Sequence, residues 1–478
     1  MASIAVPEAT SAPDFKSAHF IGIGGAGMSG IALVLHERGV HVTGSDLKTS
    51  RYIRQLTRAG VPIHVGHEAA TIDEVRPDVV VVSTAIPETN PELARARELG
   101  IPVWHRAKML SALGYGLTTV AAAGTHGKTT TSSMVATMLD RMGLDPSFLV
   151  GGIVEGYDTN GRCGSGEHFV VEADESDSSF LYLNPHVVIV TNVEADHMDH
   201  YASLAEIEET FCAFMGLVDE SGHVIVCGED PRLVELARSC GRAVLTYGEG
   251  EGHDVTCTPR QSEHAFGTTF TVTLPDGHER EVSIKHNPGR HNMLNATAAL
   301  TSAYALGLDT AAAAEALSTF EGARRRFTHV GEVRGVSLVD DYGHHPTEIK
   351  ATLHAAQSLD FARVAVVFQP HRYSRLQALV DDFAEAFTDA DIAIFIDVFP
   401  AGETPIPGIT SKMLADRVRA AHPEKSVYYV ADHPALMELI DTVVNAGDLL
   451  ITMGAGDVTT VGPEYLEHVA LASSLDER

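Results

Sequence analysis

Residues 124–131, GTHGKTTT, contain the glycine–lysine–threonine core of a phosphate-binding loop, between an apolar run and a segment with helical spacing. In such a loop backbone N–H groups surround phosphates, the Lys128 ammonium group reaches the β- and γ-phosphates, and the Thr129 hydroxyl binds Mg²⁺. The loop departs from the full Walker pattern, because Ala122 stands where that pattern has a glycine, five residues before Gly127. We predict that ATP binds here. The predicted ATP loop consists of Gly124, Thr125, His126, Gly127, Lys128, Thr129 and Thr130.

Acidic segments suited to metal binding follow two further apolar runs. They are EADESD at residues 172–177 and EADHMDH at residues 194–200. Mg²⁺ prefers oxygen ligands and usually takes one or two protein groups, with phosphate and water completing the octahedron. A second divalent ion could accept an imidazole. Because both segments follow apolar runs downstream of the phosphate loop, we predict that they bind divalent metal, either Mg²⁺ or Mn²⁺.

A second glycine-rich loop, IGIGGAGMSG, occupies residues 21–30. Gly22, Gly24 and Gly27 have the spacing of the dinucleotide fingerprint, which brings a pyrophosphate close to the backbone and to a helix N-terminus. Asp46 closes the next apolar run, near the position where an acid would meet a ribose hydroxyl. The pattern fits both NAD and a nucleoside-diphosphate sugar, because each carries a pyrophosphate.

Composition excludes several classes of function. The 478 residues carry a formal net charge of −30, which disfavours nucleic acids and anionic membranes as partners. No apolar run reaches the roughly 18–20 residues that span a bilayer, and the N-terminal stretch lacks the basic and apolar regions of a signal peptide. The five cysteines form no C-x-x-C pair. We therefore expect a cytoplasmic protein with reduced thiols.

The order of apolar and helical stretches predicts an α/β protein of three domains after a flexible tail at 1–16. Residues 17–116 predict a Rossmann-like domain, and residues 117–331 a central α/β domain like those of P-loop ATPases. Within the second, residues 266–286 alternate around a PDG turn and predict an antiparallel hairpin. Residues 332–478 predict a second Rossmann-like domain.

Taken together, the motifs resemble those of the Mur ligases, the ATP-dependent amide-forming enzymes of peptidoglycan precursor synthesis. Within that family they resemble the branch that joins L-alanine to the carboxylate of UDP-N-acetylmuramate. The resemblance implies a UDP-sugar domain, an ATP domain and an amino-acid domain, so the first loop would hold the UDP-sugar. The segments that carry it are IGIGGAGMSGIA, GSD, STAI, HRAKML, AGTHGKTTT, VVEADESDSSFL, TNVEADHMDHY, GRHNMLNATAA, RRF, DDYGHHPTE, QPHRYSR, GITS and MGAGD.

The resemblance also implies roles for individual residues. For the metal ions these are Thr129, Glu172 and His197. For ATP, beyond its loop, they are His291, Asn292, Asn295, Arg326 and Asp341. For the UDP-sugar they are Gly22, Gly24, Gly25, Ala26, Gly27, Met28, Ser29, Asp46, Ser83, Thr84, His105 and Arg106. For the muramate carboxylate and alanine they are Tyr342, His344, Arg372 and Arg375. The implied catalytic residues are Lys128, Glu172, His197, His344, Arg372 and Arg375.

Amide synthesis from a carboxylate requires activation of that carboxylate. Transfer of the γ-phosphoryl group of ATP would give ADP and an acyl phosphate, and attack by the amine would then release phosphate. His344 and His345 could act as general bases or as substrate-positioning donors. We see no lysine in the acidic loops that could be carbamylated, as in related ligases.

Three alternatives remain open from the sequence. They are an NAD-dependent oxidoreductase, a murein-peptide ligase that adds a tripeptide to the same sugar, and a non-catalytic nucleotide-binding module. The chain could be a monomer or a homodimer.

Overall fold

A computed structural model describes residue 7 and residues 14–196, 198, 200–262 and 264–476, with side chains up to residue 471. These residues form three β-sheets. The chain divides into two compact units: unit 1 comprises the residues up to 259, 270–282 and 294–321, and unit 2 comprises 260–269, 283–293 and 322–478. Within the described part of the chain, no helix combines the length and apolar character needed to cross a bilayer.

The first sheet belongs to unit 1. Its strands are β1 (Ser17–Ile21), β2 (His41–Asp46), β3 (Ile63–Val65), β4 (Val79–Val82) and β5 (Val103–His105). Its helices are α1 (Ala26–Glu37), α2 (Arg51–Arg58), α3 (Ala69–Val75), α4 (Pro91–Glu98) and α5 (Arg106–Leu113). The strands are parallel in the order β3-β2-β1-β4-β5. The carboxyl ends of β1 and β4 therefore meet at one edge, where such sheets bind ligands.

The second sheet contains the phosphate loop. Its strands are β6 (Thr118–Ala123), β7 (Ser147–Val154), β8 (Thr159–Arg162), β9 (His168–Glu172), β10 (Val187–Val190), β11 (His223–Cys227), β12 (Ala243–Glu249), β13 (Val255–Arg260), β14 (Thr268–Thr273) and β15 (Glu279–Ile284). The associated helices are α6 (Lys128–Arg141), α7 (Leu204–Met215), α8 (Pro231–Ser239), α9 (Arg290–Ala305) and α10 (Thr310–Leu317), with a 3₁₀ turn at Ser179–Tyr182. Strand β6 lies between β9 and β10 and is parallel to both. The loop after β6 is consequently flanked by the segments that follow β9 and β10.

Unit 2 contains the third sheet. Its strands are β16 (Thr328–Val333), β17 (Val336–Asp341), β18 (Val364–Phe368), β19 (Ile392–Phe395), β20 (Ser426–Tyr429) and β21 (Leu449–Met453). Its helices are α11 (Pro346–Gln357), α12 (Tyr373–Ala378), α13 (Val380–Ala384), α14 (Ser411–Ala421), α15 (His433–Val443) and α16 (Val461–Asp476), with a 3₁₀ turn at Asp457–Thr460. Strand β16 pairs antiparallel with β17, and the other pairs are parallel.

One apolar cluster joins the first and second sheets within unit 1. It contains Phe20 and Ile31 from the first sheet and its helix, together with Leu149 and Phe169 from the second. Helix α1 approaches the β7–β8 hairpin closely at Gly30, where a Cβ atom would lie 2.7 Å from Cδ2 of Leu149. A shared core of this kind fixes the glycine loop before α1 relative to the second sheet.

The predicted α/β class and the three sheets are confirmed, and the hairpin around residues 275–277 forms as β14 and β15. Strands β3, β12, β13, β16 and β20 and the hairpin of β7 and β8 were not predicted, because three to eight residues of mixed composition give little periodic signal. The boundaries proposed for the three domains stay predictions.

Candidate active site

The phosphate loop lies between β6 and α6, and its glycines adopt backbone angles that other residues rarely take. Gly124 has φ of +128° and Gly127 has φ of +85°. A Cβ atom on Gly124 would lie 2.2 Å from the Thr191 hydroxyl oxygen, and one on Gly127 would lie 2.8 Å from Oδ1 of Asn295. The amide of His126 donates to the Asn192 side chain at 2.8 Å. The loop is thus closed tightly around the N-terminus of α6, which favours anions.

The Lys128 ammonium group is held inside this loop. Its Nζ atom donates to the carbonyls of Gly124 at 2.6 Å and Thr125 at 3.2 Å, and to Oε1 of Glu175 at 2.7 Å. Burial alone would lower the pKa of Lys128, but the carboxylates of Glu175, Glu172 and Asp174 outweigh burial and raise it. The lysine is therefore a permanent positive charge at the position expected to meet phosphate.

A hydroxyl and a carboxylate suited to a hard cation lie beside this lysine. The Thr129 hydroxyl donates to Oε1 of Glu172 at 3.1 Å, and the Gly151 amide donates to Oε2 of the same carboxylate at 2.6 Å. Thr129 is 7% exposed. Both oxygens are ligand types that Mg²⁺ prefers, so the residues present fit a Mg²⁺ ion with bound phosphate.

The second acidic segment also reaches the loop, because β10 ends beside β6. The Glu194 amide donates to the Thr125 hydroxyl at 2.8 Å, and its carboxylate lies 3.4 Å from Nε2 of His126. His197, the expected ligand of a second ion, lies outside the described residues. Its role and the number of ions remain predictions.

The first glycine loop is fixed by the strand that follows it. The Gly22 and Ile23 amides donate to the Ser45 carbonyl at 2.9 and 3.0 Å, and the Gly24 amide donates to Oδ2 of Asp46 at 2.9 Å. In this structure Asp46 therefore holds the loop itself. Helix α1 has Gly25 as its N-cap, followed by Ala26 and Gly27.

Two of the residues expected to bind sugar face inward. Met28 is 3% exposed and Ser29 is 2% exposed, and the Ser29 hydroxyl donates to the Ala26 carbonyl at 2.9 Å. A contribution of these two residues to ligand binding would come from their backbone. The other loop residues, Gly22, Gly24, Gly25, Ala26 and Gly27, are at least partly exposed.

Arg106 connects the first glycine loop with the first acidic segment. Its Nη2 atom donates to Asp174 at 2.9 Å and Asp177 at 3.1 Å, and its Nη1 atom lies 3.2 Å from the position of a Cβ on Gly27. The neighbouring His105 caps α5 by accepting from the Ala107 amide at 3.3 Å. Because burial lowers the pKa of His105, this imidazole is neutral.

Ser83 and Thr84 lie in the turn after β4, whose carboxyl end adjoins that of β1. The Ile86 amide donates to the Ser83 carbonyl at 3.1 Å, and Thr84 is exposed. Parallel strand order thus brings these two residues to the edge that carries the glycine loop.

A cavity of about 180 Å³ opens between the first glycine loop and the first acidic segment within unit 1. Gly27 and Arg106 line it from the side of the first loop, and Glu172 and Asp174 line it from the side of the acidic segment. A ligand held at the first loop can therefore extend toward the carboxylate that contacts Thr129.

Unit 2 gathers a separate set of the predicted residues. The Tyr342 ring lies under two guanidinium groups, 4.9 Å from Cζ of Arg325 and 5.2 Å from Cζ of Arg326. Burial, opposed by the Glu348 carboxylate, lowers the pKa of His344 to about 3, so this imidazole is neutral near pH 7. Asp341 accepts from the Phe327 and Gly343 amides at 2.9 and 2.7 Å and thereby holds its own loop.

The two arginines expected to hold carboxylates lie at the start of α12. Arg372 has φ of +70°, and its Nε atom donates to Glu403 at 2.7 Å. Burial would raise the pKa of Glu403, but hydrogen bonds from Ser374 and Arg372 lower it to about 2. The ring of His371 stacks on Phe399. Burial and the positive charges of Arg375 and Arg372 lower the pKa of His371 to about 4.

The expected adenine-side residues occur on α9. His291 is partly buried, and burial together with the positive charge of Arg326 lowers its pKa to about 4. Asn292 donates to the Pro288 carbonyl at 2.9 Å. Asn295, in unit 1, contacts the phosphate loop at Gly127.

Sequence reasoning missed Glu175 as the partner of Lys128, and Glu403 as the partner of Arg372. Glu175 lies in an acidic segment that the sequence did single out, so its position could have been suspected. Glu403 lies 31 residues from Arg372, in a loop without a recognisable pattern.

A glycine loop followed by lysine and threonine at a helix start, with a carboxylate after the adjacent strand, defines a phosphate-loop nucleotide-binding protein. Comparison with family models makes the class more specific. The models described as "Mur ligase family, catalytic domain", "Mur ligase middle domain" and "Mur ligase, glutamate ligase domain" match residues 17–115, 122–303 and 325–456. The chain belongs to the Mur ligase family, as its motifs predict.

Individual relatives cover nearly the whole chain. The UDP-N-acetylmuramate–L-alanine ligase of Thermobifida fusca is 45% identical over 461 residues, which are 94% of this chain and 96% of the relative. The enzyme of the same name from Geotalea daltonii is 43% identical, with 94% and 97% coverage.

Two solved structures are similar over the same length. The UDP-N-acetylmuramate–alanine ligase of Thermotoga maritima has a TM-score of 0.80 at 30% identity, covering 95% of this chain and 99% of that one. A murein peptide ligase from Psychrobacter arcticus has a TM-score of 0.69 at 26% identity, covering 95% and 98%.

Proposed function

We propose that this chain is an ATP-dependent ligase that joins L-alanine to the carboxylate of UDP-N-acetylmuramate, a step of peptidoglycan precursor synthesis, and releases ADP and phosphate. One observation carries the proposal: a single cavity of unit 1 is lined by Gly27 of the first glycine loop and by Glu172, which hydrogen-bonds Thr129 next to Lys128. Such a cavity would let a sugar-borne carboxylate approach the γ-phosphate of ATP.

The residues of the phosphate loop would orient the triphosphate. Its amides and the Lys128 ammonium group would bind the β- and γ-phosphates, and Thr129 and Glu172 would hold Mg²⁺, which neutralises phosphate charge when bound. We propose two ions, with His197 as a ligand of the second. Adenine would lie near His291, Asn292 and Asn295.

The first loop would bind the pyrophosphate of the UDP-sugar through its amides and the N-terminus of α1, with Arg106 as the adjacent cation. Ser83, Thr84 and His105 would contact the same ligand. Transfer of the γ-phosphoryl group to the sugar carboxylate would give an acyl phosphate, which the alanine amine attacks with loss of phosphate.

The residues of unit 2 would bind alanine and the muramate carboxylate. Arg372 and Arg375 would hold carboxylates by charge-assisted hydrogen bonds, with Tyr342 beside them. With a pKa of about 3, His344 is a weak base, so we favour for it a role as positioning donor.

The comparisons support alanine rather than a tripeptide as the added group. Relatives named for alanine addition are 43–45% identical to this chain over nearly its whole length, and among solved structures an alanine ligase has a TM-score of 0.80, against 0.69 for a murein peptide ligase. An oxidoreductase that uses NAD is disfavoured, because Mur ligase family models match all three parts of the chain and the relatives named above are ligases.

The test is an assay of purified protein with ATP, Mg²⁺, UDP-N-acetylmuramate and, in parallel, L-alanine, L-serine, glycine or the tripeptide. We expect ADP and coupled product with L-alanine above the others. Turnover with the tripeptide but not alanine would identify a murein peptide ligase. Absence of ADP in every mixture would contradict the proposal. NAD should leave the melting curve unchanged, whereas Mg-ATP and the UDP-sugar should raise the melting temperature.

A further inference from the structure

The short segment at residues 173–178, which we call the bridging segment, pairs alternately with both nucleotide loops. Asp174 and Asp177 bind Arg106, which lies against the first glycine loop, at 2.9 and 3.1 Å. Glu175, between them, binds Lys128 of the phosphate loop at 2.7 Å. Three charge pairs from one segment of six residues thus connect the predicted sugar site with the predicted ATP site.

Two of these pairs are largely shielded from water. The side chains of Lys128 and Glu175 are 14% and 3% exposed, and those of Arg106 and Asp177 are 18% and 14% exposed. Asp174, the other partner of Arg106, is 38% exposed. Breaking a buried pair leaves an uncompensated charge, which is strongly unfavourable. A carboxylate that loses its cation must therefore move or find another partner.

The rest of the segment is tied to the same local structure. The Ser176 amide donates to Asp174 at 3.0 Å, and the Ser179 amide donates to Asp177 at 3.0 Å. The Tyr201 hydroxyl donates to the Glu175 carbonyl. These bonds hold the three acids in one short stretch, so displacing one carboxylate disturbs the geometry of the other two.

Each bound substrate would compete with one side of this arrangement. Phosphate oxygens of ATP at Lys128 would replace Glu175, and an anionic group of the sugar nucleotide at Arg106 would replace Asp174 and Asp177. Resting on the proposed function, we infer that the bridging segment couples the two sites: each nucleotide releases the segment and so strengthens binding of the other. Glu175 and Arg106 are positioning residues for this coupling, which is reciprocal by thermodynamic linkage.

The coupling is measured with AMP-PNP, a non-hydrolysable ATP analogue, with Mg²⁺ and without alanine. Calorimetric titration gives its Kd with and without saturating UDP-N-acetylmuramate, and the sugar nucleotide is also titrated alone. For the natural chain we expect the sugar nucleotide to lower the Kd of AMP-PNP by about tenfold.

Glu175→Gln removes the charge that competes for Lys128 while keeping the side-chain shape. In this variant AMP-PNP alone should bind about as tightly as it binds the natural chain with the sugar nucleotide, and the coupling should fall below about twofold. Asp177→Asn removes one of the two carboxylates that pair with Arg106, so this variant should also show weaker coupling than the natural chain. Asp140→Asn is the matched control, because Asp140 pairs with Arg162 at 2.6 Å elsewhere in unit 1; this variant should keep full coupling.

The possible outcomes separate the inference from the proposed function. Failure of UDP-N-acetylmuramate to bind the natural chain both with and without AMP-PNP would overturn the proposed function and the coupling together. Binding of both ligands with no mutual effect, or a full effect that persists in Glu175→Gln and Asp177→Asn, would overturn the coupling alone. Loss of coupling in Asp140→Asn as well would assign it to general loosening of unit 1 and also overturn the role of the segment.

Discussion

Oδ1 of Asn295 lies 2.8 Å from the point that a Cβ atom on Gly127 would occupy, so this side chain of α9 packs closely against the phosphate loop. Gly127 itself has φ of +85°. Two features therefore favour glycine at position 127: the positive φ angle and the close approach of the Asn295 side chain. Gly143, which lies just after the end of α6, has φ of +79° with no atom within 4 Å of its Cβ position.

This pair of glycines gives a matched test of the loop. Gly127→Ala and Gly143→Ala should each lose roughly 1–2 kcal/mol of stability, because both place a side chain in the left-handed region. Only Gly127→Ala should weaken AMP-PNP binding, by at least about tenfold, or about 1.4 kcal/mol. Calorimetric titration of both variants measures this, and equal affinities would contradict the contact between loop and helix.

Replacement of the buried lysine tests the phosphate site directly. Lys128→Ala should slow ADP formation by at least about 10²-fold, because the ammonium group that the Gly124 and Thr125 carbonyls hold in the loop would be lost, while UDP-N-acetylmuramate still binds. Lys412→Ala, which removes an exposed lysine paired with Asp416, is the control and should retain full turnover. Normal turnover by Lys128→Ala would refute the role of this lysine.

Replacement of Arg375, in α12, tests alanine binding separately from ATP binding. Arg375→Ala should raise KM for L-alanine by about 30-fold, or roughly 2 kcal/mol, because a carboxylate would lose its cation. The Kd of AMP-PNP should change little. The exposed Arg417, paired with Asp381, provides the control variant Arg417→Ala. Parallel losses of alanine and nucleotide binding in Arg375→Ala would indicate misfolding instead.

The neutral histidine of unit 2 predicts a pH dependence of stability. The folded-state pKa of His344 is about 3, below the value of about 6.5 in the unfolded chain. The unfolded state therefore binds the extra proton between these values, and stability is full above about pH 6.5 and falls as pH decreases toward 3. Between pH 6 and 5, His344 should lower the free energy of unfolding by at most about 1.4 kcal/mol for each pH unit of acidification.

Urea denaturation at pH 7, 6 and 5 measures this effect. His344→Gln should lose less stability on acidification than the natural chain. His354→Gln, at a side chain that is 79% exposed, should keep the natural slope. Identical slopes in all three proteins would show that the pKa of His344 is not lowered in the folded state.

The sequence by itself determined the parts of this protein that depend on local spacing. Apolar runs of β-branched residues predict the central strands, and glycine patterns before helices predict both loops at 22–27 and 124–130. Joint occurrence of the motifs indicated the family, which the family models confirm. These features are readable because each arises within about ten residues of chain.

The tertiary structure decided which charged groups meet. Lys128 faces Glu175, Arg106 faces Asp174 and Asp177, and Arg372 faces Glu403. The partners lie 31 to 71 residues apart, and strand order and loop path bring them together. Since electrostatic energy depends on distance and burial in space, and separation along the chain fixes neither, the sequence alone could not select these pairs.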